Sequence, residues 1–241
     1  MMADMIRSAW CSIVVVAALA EAAAGQTAGS GASGPWVMEN SGMAAGLRGI
    51  HAVSANVAWA SGTGGTILRT VDGGATWQRC ATPPGAEKLD FRGIWAWDAQ
   101  TAIAMSSGPG DASRLYKTVD GCGTWKLLFT NPDKDGFWDA FLLNRYDSDG
   151  ELLGDPVNGR FVLFESSDKG TSWTPTNHRG LTALNDEGAF AASNSALFLN
   201  EAFATGFVTG GAAGARVLTF DGEAETDPFR ARALPFKGRS P

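Results

Sequence analysis

The chain has 241 residues and a formal net charge of -6. This charge argues against nucleic acid as the main partner, because phosphate binding needs clustered Lys and Arg. The 31 glycines, the 9 tryptophans and the low charged fraction of 18% favour a turn-rich β protein over a helical bundle.

The first residues carry the pattern of a secretory signal. Arg7 supplies a positive charge, an apolar run extends from Ala9 to Ala20, and small residues follow at 22–24. The run is shorter than the roughly 20 residues that a bilayer span needs. We therefore predict a signal peptide over residues 1–24, a periplasmic or secreted protein, and no membrane span after cleavage. An uncleaved anchor or a buried helix is the alternative.

Residues 25–35, rich in Gly, Ser, Ala and Thr, predict a flexible lead-in.

One eight-residue pattern, [Ser/Thr]-x-Asp-x-Gly-x-[Ser/Thr]-Trp, occurs three times in the rest of the chain. The copies are Thr70–Trp77 (box 1), Thr118–Trp125 (box 2) and Ser166–Trp173 (box 3). Their aspartates follow one another at equal intervals of 48 residues. A fixed period of this length indicates a repeat architecture.

The residue types of the boxes suit a hairpin turn rather than catalysis. An Asp that begins a tight turn accepts hydrogen bonds from the backbone N–H groups ahead of it. A glycine two residues later permits a positive φ, and the Trp ring covers apolar surface. Box 2 departs from the pattern because Cys122 stands at the glycine position, which predicts a strained turn. The residues with predicted structural roles are Asp72, Gly74, Thr76, Trp77, Asp120, Thr124, Trp125, Asp168, Gly170, Ser172 and Trp173.

Three short apolar or small-residue segments precede each box and predict strands. In the first repeat they are Leu47–Ile50, Val57–Gly62 and Thr66–Thr70. With the segment after the box Trp, each repeat has the four strands of a propeller blade. A weaker fourth copy extends to Gly222 and lacks the box Trp.

The predicted fold is therefore all-β, a β-propeller of four-stranded blades over residues 36–226. About four blades are present, and we expect the chain to be a fragment of a larger ring of about seven. Residues 227–241 show no strand pattern and predict a tail or the start of a missing blade.

The boxes resemble the Asp-box, or bacterial neuraminidase repeat, of sialidases, sortilin-type receptors and photosystem II assembly factors. The segments Leu47–Val53, Trp59–Thr66 and Gly154–Phe161 are most similar to bacterial relatives of the photosystem II assembly factor. The resemblance extends from about residue 36 to residue 222. It implies the propeller fold, but it specifies function weakly, since Asp-boxes occur in proteins with unrelated activities.

The resemblance implies an exported, non-enzymatic binding or assembly scaffold whose partner is a protein or a carbohydrate of the cell envelope. The alternative is a periplasmic or cell-surface glycoside hydrolase, which would need a carboxylate pair and, if sialidase-like, a Tyr nucleophile with an arginine cluster. Only Tyr116 and Tyr146 are available, and the Arg-Ile-Pro signature of sialidases is missing. An oxidoreductase is not supported, because Gly62–Gly65 is no dinucleotide-binding loop. We predict no cofactor, and no metal site at His51 or His178.

The candidate binding residues come from the first strands of the repeats. Arg48 and Arg92 hold equivalent positions, which we expect to lie near the central axis, and arginine suits the carboxylates of a partner. The resemblance implies that the assembly factors contact their partner through an arginine-rich surface. Of that surface, only these two arginines have counterparts in this chain. In the third repeat the matching segment is Trp138-Asp139, without the arginine of the first two repeats. Residues that depart from a repeat in this way are functional candidates. The full candidate set is Arg48, Arg92, Trp138, Asp139, Asp155 and Glu187. The alternative is that these charges pair with one another across blades.

Two further features have structural interpretations. Cys80 and Cys122 lie on neighbouring outer strands or hairpins, so we expect them to be too far apart to bond, although an exported protein could form this disulfide. Asp147, Asp149 and Glu151 alternate as in part of a calcium loop. Because they lie between two predicted strands, we predict a solvated turn there.

Overall fold

The computed structural model describes residues 38–144, 148–192, 194–199, 205–220 and 228–236. These residues form β-strands and one 3-10 turn at Gly110–Ala112, and they contain no α-helix. The predicted signal peptide and lead-in lie outside the described residues. The strands form four antiparallel sheets that follow one another along the chain. The predicted all-β class and the succession of propeller blades are therefore confirmed.

Each sheet is one blade. Blade 1 contains β1 (Leu47–Ala52), β2 (Ala58–Gly62), β3 (Ile67–Thr70) and β4 (Gln78–Arg79). Blade 2 contains β5 (Phe91–Ala96), β6 (Ala102–Ser106), β7 (Arg114–Thr118) and β8 (Lys126–Thr130). Blade 3 contains β9 (Trp138–Leu143), β10 (Gly150–Val157), β11 (Arg160–Ser166) and β12 (Thr174–Pro175). Blade 4 contains β13 (Glu187–Gly188), β14 (Leu197–Leu199), β15 (Thr205–Gly211), β16 (Arg216–Phe220) and β17 (Arg230–Ala233). In blades 1 to 3 the strands pair in chain order.

Blade 4 is irregular at both edges. Its first strand is divided, since β13 and β14 both pair with β15. Its last strand, β17, pairs with β16, although the sequence predicted no strand after residue 226. The Arg-Ala-Arg-Ala sequence of β17 has no large apolar side chain, and all four residues are exposed, so no apolar pattern marks this strand. The predicted boundary at residue 226 itself lies outside the described residues.

The three boxes form turns of one geometry between the third and fourth strands of blades 1 to 3. In box 1, Asp72 Oδ1 accepts the backbone N–H of Thr76 at 2.9 Å, and the Thr76 hydroxyl donates to Asp72 Oδ2 at 2.5 Å. The Thr70 hydroxyl donates to Asp72 Oδ1 at 2.8 Å. The same bonds recur in box 2 and box 3. These bonds, the one from Thr76 first, lower the pKa of Asp72 to about 2, so the carboxylate that closes the turn stays ionised.

The box tryptophans join each blade to the blade before it. Trp125 of blade 2 lies edge-on to Trp59 of blade 1, with ring centroids 6.4 Å apart, and Trp173 of blade 3 packs with Ile103 of blade 2. Both box rings are buried. This contact between blades removes aromatic surface from water. Burial of apolar surface is the dominant contribution to the stability of such a fold.

Blade 1 has no such neighbour among the described residues. Ile50 is 69% exposed, whereas Ile94, its equivalent in blade 2, is 2% exposed because it packs against blade 1. Trp77 is only partly buried for the same reason. The expectation that the box Trp covers apolar surface is therefore met less fully at Trp77 than at Trp125 and Trp173.

Cys80 and Cys122 form a disulfide, with Cα atoms 5.0 Å apart. The expectation that they were too distant to bond is wrong, because the box 2 turn lies directly against the residues that follow β4. The backbone N–H of Ala81 donates to the Cys122 carbonyl at 3.1 Å across this junction. Cys122 has a φ of 74°, so a non-glycine residue occupies the left-handed conformation that the box requires. The disulfide gives a physical reason for a cysteine at this position.

We expect Trp125→Ala to lower the free energy of unfolding by about 3–5 kcal/mol, since it leaves a cavity between two blades. The matched variant Trp77→Ala should cost less than half as much, because its ring is partly in solvent. Denaturant unfolding monitored by far-ultraviolet circular dichroism measures both. Equal losses would contradict the interblade role of the box tryptophans.

Removing the disulfide should lower stability by about 4 kcal/mol according to the chain-entropy model for a loop of this length. Of two double variants, Cys80→Ala/Cys122→Gly should be more stable than Cys80→Ala/Cys122→Ala by about 1 kcal/mol, since glycine tolerates the positive φ. Guanidinium unfolding under non-reducing conditions compares them. If the two double variants were equally stable, the turn would carry no strain at Cys122.

Candidate functional site

The first strands of successive blades meet at one edge of the sheets. β1 contacts β5, β5 contacts β9, and β9 contacts β14, whereas the fourth strands form the opposite edge of each sheet. This arrangement makes the first strands the inner edge of the blades, as in propellers generally.

Each of the first three inner strands contains a β-bulge at the same register position. Gly49 pairs with Ser61 and Leu47 with Gly62, which leaves Arg48 unpaired. The same shift isolates Arg92 in β5 and Asp139 in β9. A bulge turns a side chain out of the regular alternation and is frequent beside functional sites. Arg48, Arg92 and Asp139 are therefore equivalent residues on three adjacent blades.

The glycine after each bulged arginine lets the blades approach closely. A Cβ atom at Gly49 would lie 2.6 Å from Ser61 Oγ and 3.0 Å from the Arg92 carbonyl oxygen. Only a residue without a side chain fits there. The Arg-Gly pair of the repeat thus places each arginine directly beside the next blade.

One carboxylate, Asp90, binds both arginines. Arg48 Nε lies 3.2 Å from Asp90 Oδ1, and Arg92 Nε lies 2.9 Å from Asp90 Oδ2. The side chains of Arg48, Arg92 and Asp90 are 42%, 30% and 22% exposed. Arg92 also lies 5.9 Å from the centre of the Phe137 ring and donates through Nη1 to the Ala191 carbonyl at a long 3.4 Å. The two guanidinium groups are thus fixed side by side at the surface.

Blade 3, which follows the arginine pair, contributes two acids, Asp139 on β9 and Asp155 on β10. Asp139 is 2% exposed, and its Oδ2 is buried with no hydrogen-bond partner among the described residues. Burial, followed by the charge of Asp155, raises the pKa of Asp139 to about 8, although Arg92 opposes the rise. Asp155 accepts the backbone N–H of Ala189 at 2.9 Å, and burial raises its pKa as well. We call Arg48, Asp90, Arg92, Asp139 and Asp155 the inner-edge site.

The structure places the other two candidate residues elsewhere. Trp138 is buried in the core, with its ring stacked on Phe129 at 5.2 Å. Glu187 is buried and bound by Arg216, whose Nε donates to Oε1 at 2.8 Å and whose Nη2 donates to Oε2 at 2.6 Å. Glu187 also accepts the backbone N–H of Leu184 at 2.7 Å. Both residues thus make packing or pairing contacts inside the fold.

Asp90 was not identified from the sequence. It stands two residues before Arg92, and the first repeat has Gly46 at the equivalent place. A carboxylate that is present in one repeat and not in its neighbour is the only signal that could have marked it. Its ability to join two blades depends on the distance between Arg48 and Arg92, which no sequence pattern supplies.

Of the acids that resemble part of a calcium loop, Asp149 is exposed between β9 and β10, as predicted, but Glu151 is not in a solvated turn. Asp147 lies outside the described residues, but Glu151 belongs to β10, and the Thr205 hydroxyl of blade 4 donates to its Oε1. Burial raises the pKa of Glu151 to about 7. It occupies the register position of Trp59 and Ile103 in blades 1 and 2, and it lines cavities of about 240 and 350 Å³.

Within the described ranges, no three His, Cys, Asp or Glu side chains are arranged to hold a metal ion. The same part of the chain contains no helix with the length and apolar character of a membrane span.

The comparisons with known proteins identify the fold. No protein-family model and no curated protein matches the chain. Among solved structures, it is similar to YCF48 bound to D1 peptide, with a TM-score of 0.58 and 14% identity over 84% of this chain and 59% of that one. It is also similar to YCF48 from Cyanidioschyzon merolae, with a TM-score of 0.55 and 17% identity over 81% and 58% of the two chains. The GH74 xyloglucanase from Xanthomonas campestris follows, with a TM-score of 0.54 and 15% identity over 77% and 30%.

The chain spans less than two thirds of the length of each of these structures. At such identities the likeness shows the β-propeller fold alone, because one fold hosts many functions.

The buried Asp139 should make stability depend on pH. Its pKa is raised from 3.8 to about 8, so the unfolded chain loses this proton at lower pH than the folded chain, and stability falls as pH rises from about 4 to about 8. In Asp139→Asn this part of the fall should disappear. Urea unfolding of both proteins at several pH values measures the difference. A constant difference across this range would contradict the raised pKa.

Proposed function

We propose that this protein is an exported binding propeller that holds carboxylate groups of a protein partner at its inner-edge site, in the manner of an assembly scaffold. The observation that carries the proposal is the shared salt bridge, in which Asp90 holds Arg48 and Arg92 by their Nε atoms. Their Nη groups are then available as donors in a fixed arrangement, which suits bidentate recognition of carboxylates. The single charge of Asp90 is smaller than the combined charge of the two arginines, so this pair attracts anions.

Further observations agree with this proposal. One of the similar structures is YCF48 bound to D1 peptide, and a peptide ligand is what an arginine pair on an open surface would accept. The geometry of the three boxes supports their assignment as Asp-box turns, and hence the resemblance to assembly-factor propellers. The Cys80–Cys122 disulfide suits an oxidising compartment such as the periplasm. A complete ring of about seven blades stays part of the proposal.

A glycoside hydrolase is the second candidate, because two acids with raised pKa values lie side by side at Asp139 and Asp155. A general acid with a raised pKa and a second carboxylate are the requirements of glycoside hydrolysis. Hydrolysis of any member of a panel of plant and bacterial glycans, abolished by Asp139→Asn and by Asp155→Asn, would establish this activity. If the wild-type protein hydrolyses none of these glycans, binding remains the proposed function.

The proposed function predicts selective binding of acidic peptide. A blocked hexaglutamate peptide should bind the wild-type protein more tightly than hexaglutamine, as measured by isothermal titration calorimetry. Arg48→Ala/Arg92→Ala should weaken hexaglutamate binding by at least about tenfold, since each charge-assisted hydrogen bond contributes about 1.5–3 kcal/mol. The matched control is Arg79→Ala, an exposed arginine on β4 at the opposite edge of blade 1, which should bind like wild type. Equal weakening in the control, or none in the double variant, would contradict the proposal.

A further inference from the structure

Asp139 has a position that the proposed binding function does not explain. It replaces in blade 3 the bulged arginine of blades 1 and 2, and so places an acid where the repeat has a base. Because β5 contacts β9, the acid lies on the strand next to Arg92, and its ionised form would oppose the charge that the arginine pair presents. A departure from a repeat that leaves the blade intact is expected at functional positions.

The surroundings of Asp139 favour its neutral form. Its Oδ2 is buried without a hydrogen-bond partner among the described residues, and an ionised oxygen in that state is costly. The facing charged groups are Asp155 on β10, which disfavours ionisation, and Arg92 on β5, which favours it. The remaining strand against β9, β14, contributes only Leu197, Phe198 and Leu199. Arg92 is therefore the cation that an ionised Asp139 would meet.

Arg92 can respond to such a change. Its Nε is held by Asp90 at 2.9 Å, but its Nη1 makes only a long bond of 3.4 Å to the Ala191 carbonyl. An ionised Asp139 offers a stronger acceptor than that carbonyl, since hydrogen bonds between ions are about twice as strong as neutral ones. When Asp139 is neutral, the charge of Arg92 remains available to a bound carboxylate.

We propose that Asp139 is a positioning residue that regulates the arginine pair: in its neutral form it leaves Arg92 free to bind a carboxylate ligand, and in its ionised form it competes with the ligand for Arg92. This inference rests on the proposed function, and it adds that acidic segments are released as the pH rises. The raised pKa of Asp139, about 8, places this change just above neutral pH.

The test is the pH dependence of hexaglutamate binding between about pH 6 and pH 9, where the glutamates and arginines stay fully charged. Wild-type affinity should fall about tenfold over this range, the equivalent of one charge-assisted hydrogen bond. Asp139→Asn, which is neutral at every pH, should bind at pH 9 as the wild type does at pH 6. Asp155→Asn should keep the fall but move its midpoint to lower pH, because the neighbouring negative charge that raises the pKa is removed.

The outcomes separate the two proposals. Hexaglutamate binding that depends on Arg48 and Arg92 but is equally tight at pH 6 and pH 9 would overturn the regulatory role and leave the binding function standing. A pH profile that survives in Asp139→Asn and disappears in Asp155→Asn would assign the titration to Asp155 and also overturn it. Failure of the wild-type protein to bind hexaglutamate at any pH would overturn both proposals. Thermal melts of each variant verify that the proteins compared are folded.

Discussion

The packing of one blade against the next is the constraint on which the rest of this structure depends. A box turn closed by an Asp carboxylate aims its Trp at the second strand of the preceding blade, as Trp125 does at Trp59. The disulfide adds a covalent link across the same junction. Since an isolated four-stranded sheet cannot bury both faces, these contacts set the spacing of the blades. Where a preceding blade is missing from the described residues, Ile50 is exposed and Trp77 is only partly buried.

The inner-edge site is a consequence of that spacing. With the blades in register, the bulge of each first strand lies beside the bulge of the next, and Gly49 permits the close approach. Asp90 can then reach Arg48 and Arg92 together. The result combines two partly exposed arginines with Asp139, whose ionisation is disfavoured by burial, and with Asp155, whose pKa burial also raises. This combination explains why both a carboxylate-binding and a hydrolytic function can be argued from one place in the fold.

The fold could be predicted from the sequence because its signals are local and periodic. The boxes, the strands before them and the repeat of 48 residues define the blades, and the bulged arginines follow from their equivalent positions. What could not be predicted depends on distances between blades. The disulfide, the bridging role of Asp90 and the burial of Asp139 each require knowing how close two repeats lie. Glu187 and Trp138 departed from the repeat like functional residues, but Arg216 pairs with Glu187 and Phe129 stacks on Trp138. Strand β17 escaped detection because backbone pairing alone marks it.

In the proposed site Asp90 acts by positioning two arginines and not by its charge, and Asp90→Asn tests this role most directly. An asparagine removes a negative charge from the surface, so simple electrostatics would make an acidic peptide bind more tightly. It also leaves one acceptor oxygen where two arginine Nε atoms are bound. We expect the affinity of Asp90→Asn for hexaglutamate at neutral pH, measured by calorimetry, to be lower than that of the wild-type protein. Affinity equal to or higher than that of the wild-type protein would contradict it.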